Sequence, residues 1–215
     1  MAQMERVRTR LTRATRREQI IDAAVLVFQG RDPADVTFEE VADAAGVSRA
    51  LVYNYFGDRR GLVAAVFQRH TDRLHAAVVA GFDGTETFRE AIEKVVRQHF
   101  RYARDNPDGY RNATGDGPSR HPEVIEERLA LLGAAFGGGP EARLVARSVL
   151  ALVEAAALRW LERGDLEMER AIEVTTELMW GGIEATERVG LHHYRVWAES
   201  SSSPLSASLR SAPAR

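Results

Sequence analysis

Residues 37–56 read Thr37-Phe38-Glu39-Glu40-Val41-Ala42-Asp43-Ala44-Ala45-Gly46-Val47-Ser48-Arg49-Ala50-Leu51-Val52-Tyr53-Asn54-Tyr55-Phe56. Each half of the stretch begins on a residue suited to capping a helix. Thr37 can accept from first-turn amides while Glu40 reaches back to the amide of Thr37, a capping box, and Val36 and Val41 stand where a hydrophobic staple would hold the entry angle. Gly46 suits the left-handed residue that ends the first helix, and Ser48 caps the second. Two short helices hinged at a glycine form a helix-turn-helix, a unit that lays its second helix in the major groove of DNA.

At about 100° per residue, Val52 and Phe56 fall one turn apart as the core-facing pair of that second helix. Ala50 and Asn54 then face outward, Leu51 and Tyr53 lie on the flanks, and Ser48 and Arg49 stand at the tip. Asn54 suits an adenine edge, Arg49 a guanine, and Ala50 or Leu51 a thymine methyl. Tyr53, Tyr55 and Thr37 suit phosphate oxygens, contacts that set register without reading sequence. Packing inside a small core is the competing role for both tyrosines.

The net charge of −2 is unevenly spread: residues 1–17 hold six arginines (Arg6, Arg8, Arg10, Arg13, Arg16, Arg17) against one Glu5. A basic arm beside a DNA-reading motif suits phosphate tracking, with Arg10 and Arg13 as the contacts; the alternative is a solvated tail. With 215 residues, 45% of them hydrophobic, the chain has room for a small reader and a larger second domain. The absence of cysteine excludes disulfides and thiolate metal sites and suits a reducing, cytoplasmic setting. The longest apolar run, Leu144 to Leu161, is interrupted by Arg147, Glu154 and Arg159, and the basic N-terminus lacks the apolar stretch of a signal peptide, so neither a membrane span nor secretion is expected.

Beyond the motif, apolar spacing of three and four predicts helices and strand signals are almost absent. The first helix is expected from Ala14 to Gln29, burying Ile20, Ile21, Ala24, Val27 and Phe28. A long fourth helix capped by Asp58 carries Leu62, Val66, Phe67, Arg69 and Leu74 toward Phe82. A fifth begins at Thr85, with Phe88, Ile92, Val95, His99 and Tyr102 on one face, and is broken by Asn106-Pro107-Asp108-Gly109. A short helix surrounds Tyr110, another spans Pro122 to Phe136, and the next, from Pro140 to Arg163, is apolar almost all round and so needs cover on both sides. The last follows Gly164-Asp165, carries Leu166, Ile172, Leu178, Met179 and Ile183, and fades by Val189. From Glu199 the serine, proline and alanine content reads as a disordered tail.

Ile21-Asp22-Ala23-Ala24, Phe28, Gly30 and Thr37, then Val41-Ala42-Asp43-Ala44-Ala45-Gly46-Val47-Ser48-Arg49 and Tyr53-Asn54-Tyr55-Phe56-Gly57-Asp58-Arg59 with Leu62, closely resemble the DNA-binding domain of the TetR family of transcriptional regulators. The resemblance implies an all-α protein: an N-terminal three-helix helix-turn-helix domain, then a larger helical domain that binds a small effector and dimerises through its last two helices. On that layout residues 1–17 are the basic arm, 18–62 the DNA-binding domain, 63–192 the effector-binding and dimerisation domain, and 193–215 the tail. Departures from the family pattern are Arg59 in place of a lysine that would seek the same phosphate, a long acidic turn at Arg31-Asp32-Pro33-Ala34-Asp35, and Leu51 where a small hydroxyl residue is common.

One recognition helix reads too few base pairs for operator-grade affinity, so a homodimer on a palindromic operator in double-stranded DNA is expected. Candidate interface residues are Leu150, Val153, Glu154, Ala157 and Leu161, with Leu178, Met179 and Gly182 on the last helix; Gly181-Gly182 would let two backbones approach. The alternative is that these helices bury each other in a monomeric core. Candidate effector contacts are His99, Tyr102, Tyr110, Arg128, Phe136 and Trp160. His99 is equally readable as a satisfied core histidine, Arg128 as a rim ion pair, and Glu154 as an acceptor for a cationic effector or an interface hydrogen bond. The chain has no Gly-rich phosphate loop, nucleophile elbow or His-Glu-x-x-His, so no enzyme, metal site or cofactor is expected. The expected function is repression relieved by a small molecule; the rival is an effector-independent dimeric DNA-binding protein whose second domain serves only dimerisation or partner binding.

Overall fold

Helix α1, Arg13–Val27, starts where the Thr12 hydroxyl accepts from the amide of Thr15 at 3.1 Å, and it turns Ile20, Ile21, Ala24 and the following Phe28 inward. The expected Val27 is only half-buried; Ala23 and Val25 complete the inner face instead. The computed structural model describes residues 12–81, 86–114, 126, 129 and 138–190. Among these there are eight α-helices and no strand. Their contacts divide the chain into two units, one ending at Val66 and one starting at Phe67.

In the first unit, α1 is followed by a 3-10 turn, Pro33–Asp35, and by α2, Phe38–Ala45, and α3, Arg49–Phe56. The capping box at α2 is formed as expected: the Thr37 hydroxyl accepts from the Glu40 amide, and the Glu40 carboxylate accepts from the Thr37 amide at 2.8 Å. Gly46, at φ 63°, ends α2 with the paired bonds Val47 N–H to Ala42 and Gly46 N–H to Asp43. That left-handed residue is what reverses the chain, and glycine adopts it without a Cβ penalty. Ser48 then accepts from the Leu51 amide at 3.2 Å and starts α3 two residues later. Val36, Val41, Ala42, Ala45, Val52 and Phe56 close the core over α1 with Leu62.

Leu62 belongs to α4, Arg59–Ala80, which runs on into the second unit and supplies Leu74 to that core. The Asp58 carboxylate accepts from the Gly61 amide at 2.9 Å, the cap expected of it.

In the second unit, α5, Phe88–Asp105, is capped by Thr87 rather than Thr85, because Glu90 stands three residues after Thr87 and completes a second capping box. Phe88, Ala91, Ile92, Val96, Phe100 and Ala103 form its buried face. The Asn106-Pro107 break is also a beginning: α6, Pro107–Thr114, starts there, since proline lacks only an amide that a first turn leaves unpaired. Helices α7, Gly139–Arg163, and α8, Met168–Ala185, are separated by Gly164 at φ 59°. Helix α5 packs on α6, α7 and α8, and α7 packs on α6 and α8. A 3-10 turn, Thr186–Val189, follows α8.

One expectation about this unit fails. Helix α7 buries one stripe, Ala142, Ala146, Leu150, Val153 and Ala157, whereas Leu144, 68% exposed, Ser148 and Ala155 face outward. Leu166, before α8, and Leu178 on it are exposed, while Ile172, Thr175, Thr176, Met179 and Ile183 form the buried side of α8. Of the predicted Pro122–Phe136 helix only Glu126 and Leu129 are described, both helical. Arg10, Arg128, Phe136, Thr85 and the tail from 193 lie outside the described residues.

Candidate nucleic-acid interface and effector region

Helix α3 separates its faces as its spacing predicts: Val52 is fully buried and Phe56 nearly so, while Ser48, Arg49, Ala50 and Asn54 are exposed. Leu51 is half-buried. The exposed set therefore combines a guanidinium, an amide, a hydroxyl and a methyl on one short helix, the groups that read base edges in a major groove.

Three arginines lie over aromatic rings around this helix. The Arg49 guanidinium is 5.5 Å from the Tyr53 ring centroid and donates to the Tyr53 hydroxyl at 3.3 Å. That hydrogen bond raises the arginine's already high pKa. Tyr53 in turn meets Phe38 edge-on at 4.4 Å, so the ring is anchored on α2 although it is 43% exposed. Arg13 lies 5.8 Å over Tyr55, and Arg17 lies 5.6 Å over Phe56. Both α1 arginines are thereby held beside the end of α3, and Tyr55 packs against the first core. Gln19 adds a bond from α1 to the Ala45 carbonyl at 2.8 Å, fixing α1 to the end of α2.

Thr37 does not keep a proton for phosphate. Its amide and its hydroxyl both donate to Oε2 of Glu40 at 2.8 Å, and Arg31 donates to Oε1 at 2.7 Å. Together these donors, Arg31 first, hold the Glu40 carboxyl down to about 2. Arg31 also donates to the Asp35 carbonyl, so the acidic turn after α1 carries its own counter-charge. Arg59, the remaining expected phosphate contact, is exposed at the start of α4.

The second unit brings together three of the expected effector residues. Tyr110 of α6 is fully buried, with ring centroids 6.5 Å from both Tyr102 and His99 of α5. His99 Nδ1 lies 2.9 Å from the Val95 carbonyl, which makes that nitrogen the donor. The sequence did not single out His70 of α4, whose Nδ1 lies 3.2 Å from the Tyr102 hydroxyl. Burial, reinforced by Arg73 and Arg69, drops the His70 pKa to about 4, so the ring is neutral near pH 7. Gly109 of α6 lies against this imidazole, and any Cβ there would overlap it. No local motif marks His70; only the packing of α6 over α4 reveals it. Burial raises the Tyr102 pKa, so its hydroxyl stays protonated. Trp160 lies apart from this group in role: its indole N–H donates to the Leu166 carbonyl at 2.8 Å and its ring leans on Phe100, bracing the turn into α8.

The expected dimer residues separate sharply. Leu150, Val153, Glu154, Ala157 and Met179 are buried in the unit's own core, because they lie on the sides of α7 and α8 that face α5 and each other. Leu161 is half-buried. Leu178, 63% exposed, and Gly182 face outward, joined along α8 by Val174 and Gly181. Among the described residues no helix is long and apolar enough to cross a membrane, and no cluster of histidine and carboxylate side chains could hold a metal ion.

This geometry has relatives. The family profile described as "Bacterial regulatory proteins, tetR family" matches residues 20–66. The HTH-type transcriptional activator FasR of Mycolicibacterium smegmatis is 30% identical over 187 residues, 81% of this chain and 85% of that protein. A tetR-family transcriptional regulator from Streptomyces coelicolor superposes with a TM-score of 0.63 at 25% identity, covering 88% of this chain and 91% of that one. The transcriptional regulator FadR from Bacillus subtilis, in complex with stearoyl-CoA, has the same fold at a TM-score of 0.62 and 17% identity, covering 75% and 96%.

Proposed function

Since the chain belongs to the tetR family of bacterial regulatory proteins and is a DNA-binding transcriptional regulator rather than an enzyme, we propose that it is a cytoplasmic homodimer that binds a palindromic operator and is released from it by a small molecule. The carrying observation is the division of α3: Val52 and Phe56 inside, Ser48, Arg49, Ala50 and Asn54 outside. In this reading Asn54 and Arg49 read bases with Ala50 and Leu51 at thymine methyls, while Arg10, Arg13, Tyr55 and Arg59 contact the backbone. The effector lies near His70, Tyr102, His99 and Tyr110, hydrogen-bonding groups among aromatic rings that suit an uncharged or amphipathic molecule. Helix α4 contributes Leu62 to one core and His70 and Leu74 to the other unit, so a ligand that biases α4 biases the reader.

Operator binding is tested by gel shift with the DNA upstream of the gene at several salt concentrations, which separates specific from electrostatic binding. A compound that raises the melting temperature should then change operator affinity roughly 5- to 150-fold, a coupling of about 1–3 kcal/mol. An unchanged affinity with every such compound overturns release by effector and leaves the effector-independent dimer. A second reading, activation, is favoured by the name of the Mycolicibacterium smegmatis relative, an activator aligned over 85% of its length. A reporter driven by the same upstream DNA decides between them: deleting the regulator raises expression for a repressor and lowers it for an activator.

A further inference from the structure

We infer that Tyr53 is a positioning residue for Arg49, holding its guanidinium for base reading. The inference rests on the DNA-reading role of α3 and adds how its tip is prepared. The Tyr53 hydroxyl oxygen accepts from Arg49 Nη2 at 3.3 Å, a bond that aims the guanidinium. The guanidinium carbon stands 5.5 Å from the ring centroid, within the range of a cation–π contact. The ring cannot drift with the arginine, because its edge contact with Phe38 at 4.4 Å ties it to α2, and Phe38 is itself buried in the first core. A free arginine at a helix tip must surrender rotamer freedom on binding a base, a cost for a rotamer-rich side chain that prior ordering removes. Positions 49 and 53 are one turn apart, so the same helix that presents the arginine presents its support. The line from buried Phe38 through Tyr53 to Arg49 thus carries the rigidity of the α2–α3 packing out to a charged group in solvent.

The test is a double-mutant cycle on the full chain, using as probe a DNA duplex recovered by the wild-type protein from a randomised pool, together with copies carrying each single base-pair change. Arg49→Ala should abolish discrimination at one base pair, roughly 5- to 150-fold for a bidentate contact. Tyr53→Phe keeps the stack and removes the hydroxyl, so it should lose part of the discrimination at that same pair, and Tyr53→Ala should lose more. The double variant Arg49→Ala with Tyr53→Ala should discriminate no worse than Arg49→Ala alone. Melting curves of Tyr53→Phe, expected to match wild type, separate this from a general loss of fold. If Tyr53→Phe weakens all duplexes equally and its effect adds to that of Arg49→Ala, the hydroxyl serves a phosphate and the positioning role is wrong. If the wild-type chain enriches no sequence, the DNA-reading role itself falls.

Discussion

His70 illustrates what single residues contribute beyond the motif that defines the chain. Its imidazole is buried against Gly109 and faces the Tyr102 hydroxyl, with Arg69 and Arg73 of its own helix disfavouring a proton. Because its folded pKa is depressed from 6.5 to about 4, the unfolded chain takes up the proton first. The stability this confers is therefore complete above pH 6.5 and is lost as pH falls toward 4, by up to roughly 3 kcal/mol. Urea unfolding of wild type and His70→Gln at closely spaced pH values should show a steeper fall between pH 6.5 and 4 for wild type. Equal slopes would mean the ring is not held neutral by its surroundings. Residues of this kind are unreadable in a sequence, since what sets His70 apart is α6 arriving from over thirty positions away to cover it. Thr37 and Glu40 are the opposite case: the capping box is complete within four residues, and it forms as written. Yet the same bonds that make it legible consume the Thr37 hydrogen that a phosphate contact would need.

At the scale of elements, the joint between α3 and α4 sets where the recognition helix ends. Gly57, at φ 72°, turns the chain out of α3, and the first turn of α4 passes so close that a Cβ on Gly61 would overlap the Phe56 carbonyl oxygen. The neighbour is backbone, which cannot rotate aside as a side chain would. Gly61→Ala should destabilise the first unit by roughly 1–3 kcal/mol, the usual cost of overpacking, and shift the end of α3. Thermal melting reads the first effect and loss of specific DNA affinity the second; an alanine variant as stable as wild type would show that the joint can open freely. Helix order and type were legible here because apolar spacing, caps and glycines are local signals. Which side of a helix faces inward was legible for α3, where only Val52 and Phe56 could pair, and failed for α7, where Leu144, Leu150, Leu152 and Val153 offer apolar residues in every direction. Periodicity ranks faces only when one of them is polar.

At the scale of the whole molecule, that failure decides where a second copy would dock. The five dimer candidates buried in the unit's own core contribute to the fold of one chain, and truncating Leu150 to alanine should cost about 2–5 kcal/mol of folding stability. Val174 and Leu178 instead leave 46% and 63% of their surface exposed, one turn apart on α8, and Gly181 and Gly182 continue the face with nothing within 4 Å of an added Cβ. Apolar residues followed by two open glycines let another helix approach closely, whereas a monomer would be expected to carry charge there. Leu178→Arg introduces that charge without touching the core, so its melting temperature as a monomer should stay near that of other surface variants. Sedimentation velocity should show the wild-type chain as a dimer and Leu178→Arg as a monomer at micromolar concentration. Affinity for a two-half-site duplex should fall at least tenfold, because two recognition helices on one duplex add their free energies only when they are joined. Affinity for a single half-site should change little. A Leu178→Arg protein that remains dimeric would move the interface away from α8, and one that loses half-site binding as well would mean that the substitution has damaged the fold.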